Sequence, residues 1–387
     1  MRMAAAELAP LLRGALEHQV SERGLLPWRL PAAARRQTTD PGVERVAAQP
    51  SGVHLAFRTE ATTLVLITHP TRDVTGNQVP KSGVYDVLVD GELYAQLHSP
   101  VQGVGTTRRS DPVTGEVSTS VGADARIELP QLPPGAHDVQ IWLPHDERTE
   151  LAALESDAEL IPSDSAGTTR WLHHGSSISH GFAVSHPTGT WPVVAAQTAG
   201  VQLTNLGLAG QAMLDPFTAR TIRSAEADVI SLKLGINITN GDTMRLRTFV
   251  PAVHGFLDTI REGRHARTPL LLISPLHCAI QETRPGPVQM QLLDSGPRFS
   301  AMGDPAEVAS GKLTLQVIRR TLREIVQSRR AQDPQLHLLD GLELFGARDE
   351  AELPMADQLH PETQAQRRIG QRFANVALSR GGPLNLG

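Results

Sequence analysis

The spacing of apolar residues changes character once along this chain, and that change limits the folds open to it. From about residue 43 to residue 160 the period is two. Val53, Leu55 and Phe57 alternate with polar or small residues, and so do Tyr85, Val87 and Val89. Successive strand side chains point to opposite faces, so the alternation predicts strands with one face in a core. The run ending at Val89 meets Asp90-Gly91 and resumes as Glu92-Leu93-Tyr94-Ala95, the signature of a hairpin closed by a two-residue turn. Residues 63–68 read as a core strand, and Pro133-Pro134-Gly135 turns the chain into the alternating stretch 137–143. Many short strands with Gly and Pro turns predict a two-sheet, jelly-roll-like β-sandwich.

After Ile161-Pro162-Ser163-Asp164-Ser165-Ala166-Gly167, a small and polar stretch, apolar runs alternate with helical patterns. A domain boundary is expected there, with a β-sandwich over 1–165 and a second domain over 166–387. Strand candidates are Trp171-Leu172, 201–206, 229–234, 270–273 and 336–339. Between the third and fourth, Leu246, Phe249, Val250, Val253, Phe256, Leu257 and Ile260 recur at helical spacing; Pro251 is expected to bend that helix or mark its start. A second helix carries Leu315, Ile318, Leu322 and Ile325, with Arg319, Arg320, Arg323, Arg329 and Arg330 read as a solvated face. Strands separated by helices predict a parallel sheet with its site beyond the strands' C-terminal ends. At the N-terminus, residues 4–20 are expected to form a short amphipathic helix on Leu8, Leu11, Leu12 and Leu16, followed by loop. Residues 276–310 are rich in Pro and Gly without a clear period. They are expected to wall a substrate pocket or to be a plain insertion.

Within Arg170-Trp-Leu-His-His-Gly-Ser-Ser-Ile-Ser-His-Gly181 a strand runs into a glycine turn and a helix start, which leaves Ser177 standing free above the sheet beside helix N–H groups. Far along the chain, Asp357-Gln-Leu-His360-Pro361 sets a carboxylate three residues before an imidazole, so that Asp357 can orient His360 as a general base. Asn205-Leu-Gly-Leu-Ala-Gly210 and Gly235-Ile-Asn237 each follow an apolar run and offer a backbone N–H and a side-chain amide to an oxyanion. Each motif has a plainer reading: a turn serine, a helix cap and surface histidine before Pro361, tight glycine turns, a turn-forming asparagine. The histidines around the serine, His173, His174 and His180, match no zinc spacing and read as packing or substrate contacts. His277-Cys278 lacks a partner block for a thiol nucleophile.

Taken together and in order, these blocks resemble those of the SGNH (GDSL) hydrolases over roughly residues 168–380. The resemblance implies a three-layer α/β/α, flavodoxin-like domain. It makes Ser177 the nucleophile and first oxyanion donor, Gly210 and Asn237 the further donors, His360 the base and Asp357 its orienter. Ser176 stands where the family usually has Asp, and Ile238 where Asp often follows the Asn.

The formal net charge of −5 gives no basic footprint for nucleic acid. One cysteine, Cys278, excludes an internal disulfide framework. The first residues fail as a signal peptide because Glu7, Pro10 and Arg13 interrupt any apolar stretch, and no run is long enough to span a membrane. A cytoplasmic enzyme is expected, without metal or bound cofactor and with small-molecule acyl donor and alcohol acceptor as partners. The order of a β-rich domain before an SGNH domain also resembles GDSL-type acyltransferases. That implies transfer of an aryl or short acyl group, salicylyl-type, from a CoA co-substrate to a polyketide hydroxyl. The alternatives are a carbohydrate or small-ester esterase with a carbohydrate-binding β-domain, in which Tyr85, Tyr94 and Trp142 are the obvious stacking candidates, and a non-catalytic binding protein.

Overall fold

Five apolar runs of the second half form one parallel sheet: β1 (Arg170–Gly175), β2 (Gln202–Gly207), β3 (Val229–Lys233), β4 (Leu270–Ile273) and β5 (Leu336–Leu339). Their order is β2-β1-β3-β4-β5, every pair parallel. The central strands are covered on both faces, which is why Leu270, Leu271, Leu272 and Ile273 form an unbroken buried run rather than an alternation. This is the flavodoxin-like order, and it opens a crevice where the order reverses, beyond the C-terminal ends of β1 and β3. The computed structural model describes residues 1–164, 167–293 and 296–385.

The longer helices around this sheet are α1 (Trp191–Ala199), α2 (Pro216–Ser224), α3 (Leu246–Arg261), α4 (Leu315–Arg329) and α5 (Thr363–Phe373). Phe249, Val253, Phe256, Leu257 and Ile260 are the buried stripe of α3, as their spacing predicts. Pro251 does not mark its start, which lies at Leu246. On α4 the arginines do not all belong to a solvated face as expected. Arg319 is only 6% exposed. Its guanidinium donates to Glu282 at 2.6 and 2.8 Å and to the carbonyls of Pro275 and Leu276. A fork with five donors can satisfy carbonyls and a carboxylate together, so this position on the helix belongs to a loop anchor and not to solvent.

The first half is a two-sheet β-sandwich. One sheet runs, across its strands, Val117–Val121, Thr106–Ser110, Leu64–Thr75, Arg148–Ser156, Leu25–Trp28, Glu17–Val20. The other runs Leu160–Pro162, His54–Thr59, His137–Trp142, Val84–Val89, Glu92–His98. Leu55, Phe57, Val87, Val139 and Ile141 from one sheet meet Leu66, Leu151 and Leu154 from the other in a single buried cluster. The Asp90-Gly91 turn has φ of 52° and 86°, both in the left-handed region that matches the twist of a two-residue hairpin. Tyr85 is fully buried with its hydroxyl 3.1 Å from Thr68 Oγ1, and Trp142 is buried under a stacked His54 ring. Of the three aromatic residues, Tyr94 alone is exposed.

The N-terminal helix expected over 4–20 is not formed. Ala5–Leu11 is a 3-10 turn, and the chain then extends into short strands at Leu12–Arg13 and Glu17–Val20. Leu8 and Leu11 are three apart, the repeat of a 3-10 helix, and both are fully buried, whereas Leu12 and Leu16 are not. At Gly14, with φ of +82°, a Cβ would meet the Gly52 carbonyl oxygen at 2.3 Å, so the chain passes another backbone where a helix would have continued. The loop expected next instead contains the buried strand Leu25–Trp28 and the helices Ala32–Arg35 and Pro41–Ala47.

Two compact units result. One holds Met1–Pro31, Glu44–Gly167 and His186–Thr188; the other holds Ala32–Val43, Thr168–Ser185 and Gly189–Gly387. In the first, the buried Asp86 carboxylate accepts from His186 Nδ1 at 2.8 Å and from the N–H and hydroxyl of Thr188 at 2.9 and 2.6 Å, which accounts for the membership of that three-residue segment. Ser165 and Ala166, between which the expected boundary falls, lie outside the described residues.

Candidate active site

β1 ends at Gly175. Ser176 is the extended residue before a single helical turn, Ser177–His180, which closes on Gly181 with φ of 104°. That turn lies against β2 because Gly207 has no side chain: a Cβ there would stand 2.5 Å from the Ser179 carbonyl carbon and the His180 nitrogen. The buried amide of Asn205 clamps the same turn, donating to the Ser179 carbonyl at 2.9 Å and accepting from the Gly207 N–H at 2.9 Å. Ser177 was expected to stand free; it is only 7% exposed. All four residues of the one-turn helix, Ser177 to His180, are buried.

Residues from the other end of the chain reach it. His360 Nε2 is 2.9 Å from Ser177 Oγ, and His360 Nδ1 is 2.6 Å from Asp357 Oδ2. Asp357 Oδ1 accepts from the backbone N–H groups of Leu359 and His360 at 2.8 and 2.7 Å. Gln358, with φ of 72°, makes the bend that folds the carboxylate back onto the ring. α5 starts only at Thr363, after Glu362, so Asp357 caps no helix and Pro361 opens none. His360 is buried, not a surface histidine. Burial raises the Asp357 carboxyl, but the imidazole and the two backbone donors outweigh it and hold the group below its ordinary 3.8. The imidazole therefore has an ionised carboxylate on one nitrogen and a hydroxyl on the other.

Gly210 and Asn237 follow β2 and β3. Gly210 has φ of +74°, a turn conformation that glycine enters without strain. Asn237 Oδ1 accepts from the Ala212 N–H at 3.1 Å, which commits the amide oxygen to the protein and leaves the NH₂ as the free end. Among the described residues, the backbone N–H groups of Ser177 and Gly210 have no acceptor.

The neighbouring histidines have other duties. His173 is buried between Ser231 Oγ and Ser179 Oγ at 2.7 and 2.8 Å, and burial holds its imidazole well below 6.5. His174 bonds the Leu206 carbonyl at 2.8 Å and lies against Phe256; burial lowers it to about 4. Among the described residues no cluster of His, Cys, Asp or Glu is arranged to hold a metal ion. Burial pushes the Cys278 thiol up to about 12, so it is no nucleophile at neutral pH. Ser176 Oγ is buried without a partner.

Two further side chains, which no motif marks, stand against the imidazole. Phe182 lies 4.3 Å from the His360 ring, and Phe299 meets the same ring edge-on at 5.4 Å. Phe299 belongs to the stretch read as lacking a period. That stretch contains a hairpin, Val288–Leu293 with Gly296–Ala301, and the Phe299 N–H donates to the Asp357 carbonyl at 2.9 Å. The signal was present as apolar residues alternating with polar ones, Val288, Met290 and Leu292 and then Pro297, Phe299 and Ala301.

Residues 11–148 match the family described as SsfX3, N-terminal domain. Among curated proteins none matches the sequence. Among solved structures, the chain is similar to the salicylyl-acyltransferase SsfX3 from a tetracycline biosynthetic pathway, with 27% identity, a TM-score of 0.77, and 96% of this chain and 95% of that one covered. A GDSL-like lipase from Bacteroides ovatus shares the fold at 17% identity and TM-score 0.63, covering 96% and 95%. So does a family two carbohydrate esterase from Cellvibrio japonicus, at 12% identity and TM-score 0.57, covering 97% and 96%. These likenesses support acyl transfer or ester hydrolysis. Among the described residues no helix is long and apolar enough to cross a membrane.

Proposed function

We propose, from the premise that the chain is an SGNH/GDSL-type enzyme, that it is a serine acyltransferase working through an acyl-enzyme on Ser177. The observation that carries the reading is the unbroken line of hydrogen bonds from Asp357 through His360 to Ser177, 2.6 and 2.9 Å long. Ser177 Oγ attacks the acyl carbonyl while His360 Nε2 takes its proton and Asp357 stabilises the imidazolium. The oxyanion is met by the N–H groups of Ser177 and Gly210 and the amide of Asn237, groups that the fold leaves without acceptors or holds by their other end. His360 then returns the proton to the leaving group.

The donor we propose is the CoA thioester of an aryl or short acyl acid, salicylyl-type, and the acceptor a hydroxyl of a polyketide-like small molecule. With acyl-CoA as donor the proposed enzyme works in the cytoplasm, and the proposed chemistry calls on no bound cofactor. Support comes from the likeness to SsfX3, which extends over both units of the chain. Hydrolysis is the same mechanism with water as acceptor. A carbohydrate-stacking platform on the sandwich is disfavoured by the burial of Tyr85 and Trp142.

Intact-protein mass spectrometry after incubation with a panel of acyl-CoA thioesters tests the reading. A mass increase of one acyl group is expected, absent from Ser177→Ala. An acyl adduct retained by that variant overturns the assignment of the nucleophile.

A further inference from the structure

The hairpin over the site has two faces of opposite character. In its antiparallel register Val288 opposes Ala301, Met290 opposes Phe299 and Leu292 opposes Pro297. Directly opposed side chains share a face, so these residues make one wholly apolar side. The intervening positions pair Gln289 with Ser300, Gln291 with Arg298 and Leu293 with Gly296, a largely polar side. The apolar side is the one that bears Phe299 and hence the one that touches His360. Outward from Phe299 it continues into Met290, 57% exposed, and Leu292, 62% exposed. Phe182, which also lies against the imidazole, is 43% exposed, its ring centroid 4.3 Å from that of His360 and tilted by 40°.

The position of this surface relative to the reaction says what it meets. In a serine acyl transfer the oxyanion points to its donors, while the leaving group and the incoming nucleophile both pass the imidazole, because each exchanges a proton with it. In the second step the acceptor hydroxyl gives its proton to His360 Nε2 and its oxygen bonds to the acyl carbon. The Ser177 Oγ–carbon bond breaks and Oγ takes the proton back. Whatever flanks His360 therefore flanks the acceptor. Exposed apolar side chains continuous with that flank give a ring-bearing alcohol surface to bury and offer water no hydrogen bond.

We infer that the apolar side of the hairpin, Met290, Leu292, Pro297 and Phe299, is the acceptor subsite, and that it selects an apolar, ring-bearing alcohol over water and over polyols. The inference rests on the acyl-enzyme reading above and names the class of the second substrate.

Partitioning of a common acyl-enzyme tests it. The full chain is given p-nitrophenyl acetate with 2-(2-naphthyl)ethanol or glycerol at equal concentration, and acetyl ester and free acetate are quantified. The wild-type protein is expected to acetylate the naphthyl alcohol about tenfold more readily than glycerol, the scale of burying about two methylene equivalents. Met290→Ser/Leu292→Ser is expected to reduce that preference about tenfold, and these exposed positions can change without unfolding the hairpin, which circular dichroism checks. Gln289→Lys/Gln291→Lys, on the polar side, should keep the preference. Equal transfer to both alcohols by the wild type, or an unchanged preference in the serine double variant, overturns the inference while an acetyl adduct on Ser177 leaves the acyl-enzyme reading standing. Absence of any adduct removes both.

Discussion

Replacing Asp357 by Asn changes one atom and inverts the chemistry of the base. The carboxylate uses Oδ1 for the N–H groups of Leu359 and His360 and Oδ2 for His360 Nδ1. An asparagine has one acceptor and one donor end, and two backbone donors at 2.7 and 2.8 Å claim the acceptor. The NH₂ then faces His360 Nδ1, which must accept, so the ring proton moves to Nε2 and points at Ser177 Oγ. The imidazole keeps its place and loses its basic nitrogen. Loss of the correct tautomer in a serine triad costs about 10⁴-fold in kcat, or about 5 kcal/mol of barrier. The backbone bonds survive, so the fold should too. The assay is the rate of p-nitrophenolate release from p-nitrophenyl acetate, with thermal unfolding as the control. A variant of native stability retaining more than about a tenth of wild-type kcat would refute the tautomer argument and, with it, the role given to Asp357.

Asn237→Ala removes one oxyanion donor and the acceptor of the Ala212 N–H; turnover should fall about a hundredfold, near 3 kcal/mol, measured as kcat on the same ester, and a change under threefold would exclude Asn237 from the oxyanion site. Lys233, at the end of β3, is buried, which lowers its amine from 10.5 to about 8. Because the unfolded chain binds that proton more tightly, stability should rise as pH climbs from 8 to 10.5 and be lowest below 8, the whole gap being worth about 3 kcal/mol. Lys233→Met should abolish the alkaline gain and raise stability at neutral pH in urea titrations; a less stable variant would show that the ammonium is held by compensating interactions.

The parallel sheet was legible because strands buried on both faces leave short apolar runs such as Leu270–Ile273 between helical patterns. The residues at their ends were legible because backbone chemistry fixes their type: Gly210 at positive φ, Ser177 at a helix start. Asp357 and His360 showed only their sequence spacing; the bend at Gln358 that joins them is a property of the folded loop. What escaped notice was set by partners distant in sequence. Leu8 and Leu11 fit a helix and a 3-10 turn equally, and the backbone that Gly14 meets at Gly52 decided between them. Arg319 reads as solvent-facing until Glu282 and two carbonyls are brought under it. The Val288–Ala301 hairpin carries an alternation of apolar residues, but it is short and mostly exposed and lies among Pro and Gly residues that read as loop. The seating of the Ser177 turn follows from Asn205 and Gly207, whose part in clamping it depends on the folded contact with β2.

The path of the backbone between the two units bears on how such a protein can be inherited or re-engineered. Passing along the sequence, membership switches at Pro31/Ala32, Val43/Glu44, Gly167/Thr168, Ser185/His186 and Thr188/Gly189. A sandwich transplanted from a relative by a single crossover near residue 167 would bring the wrong short helix to one module and the wrong tripeptide to the other. A working chimera has to be spliced at all of those junctions.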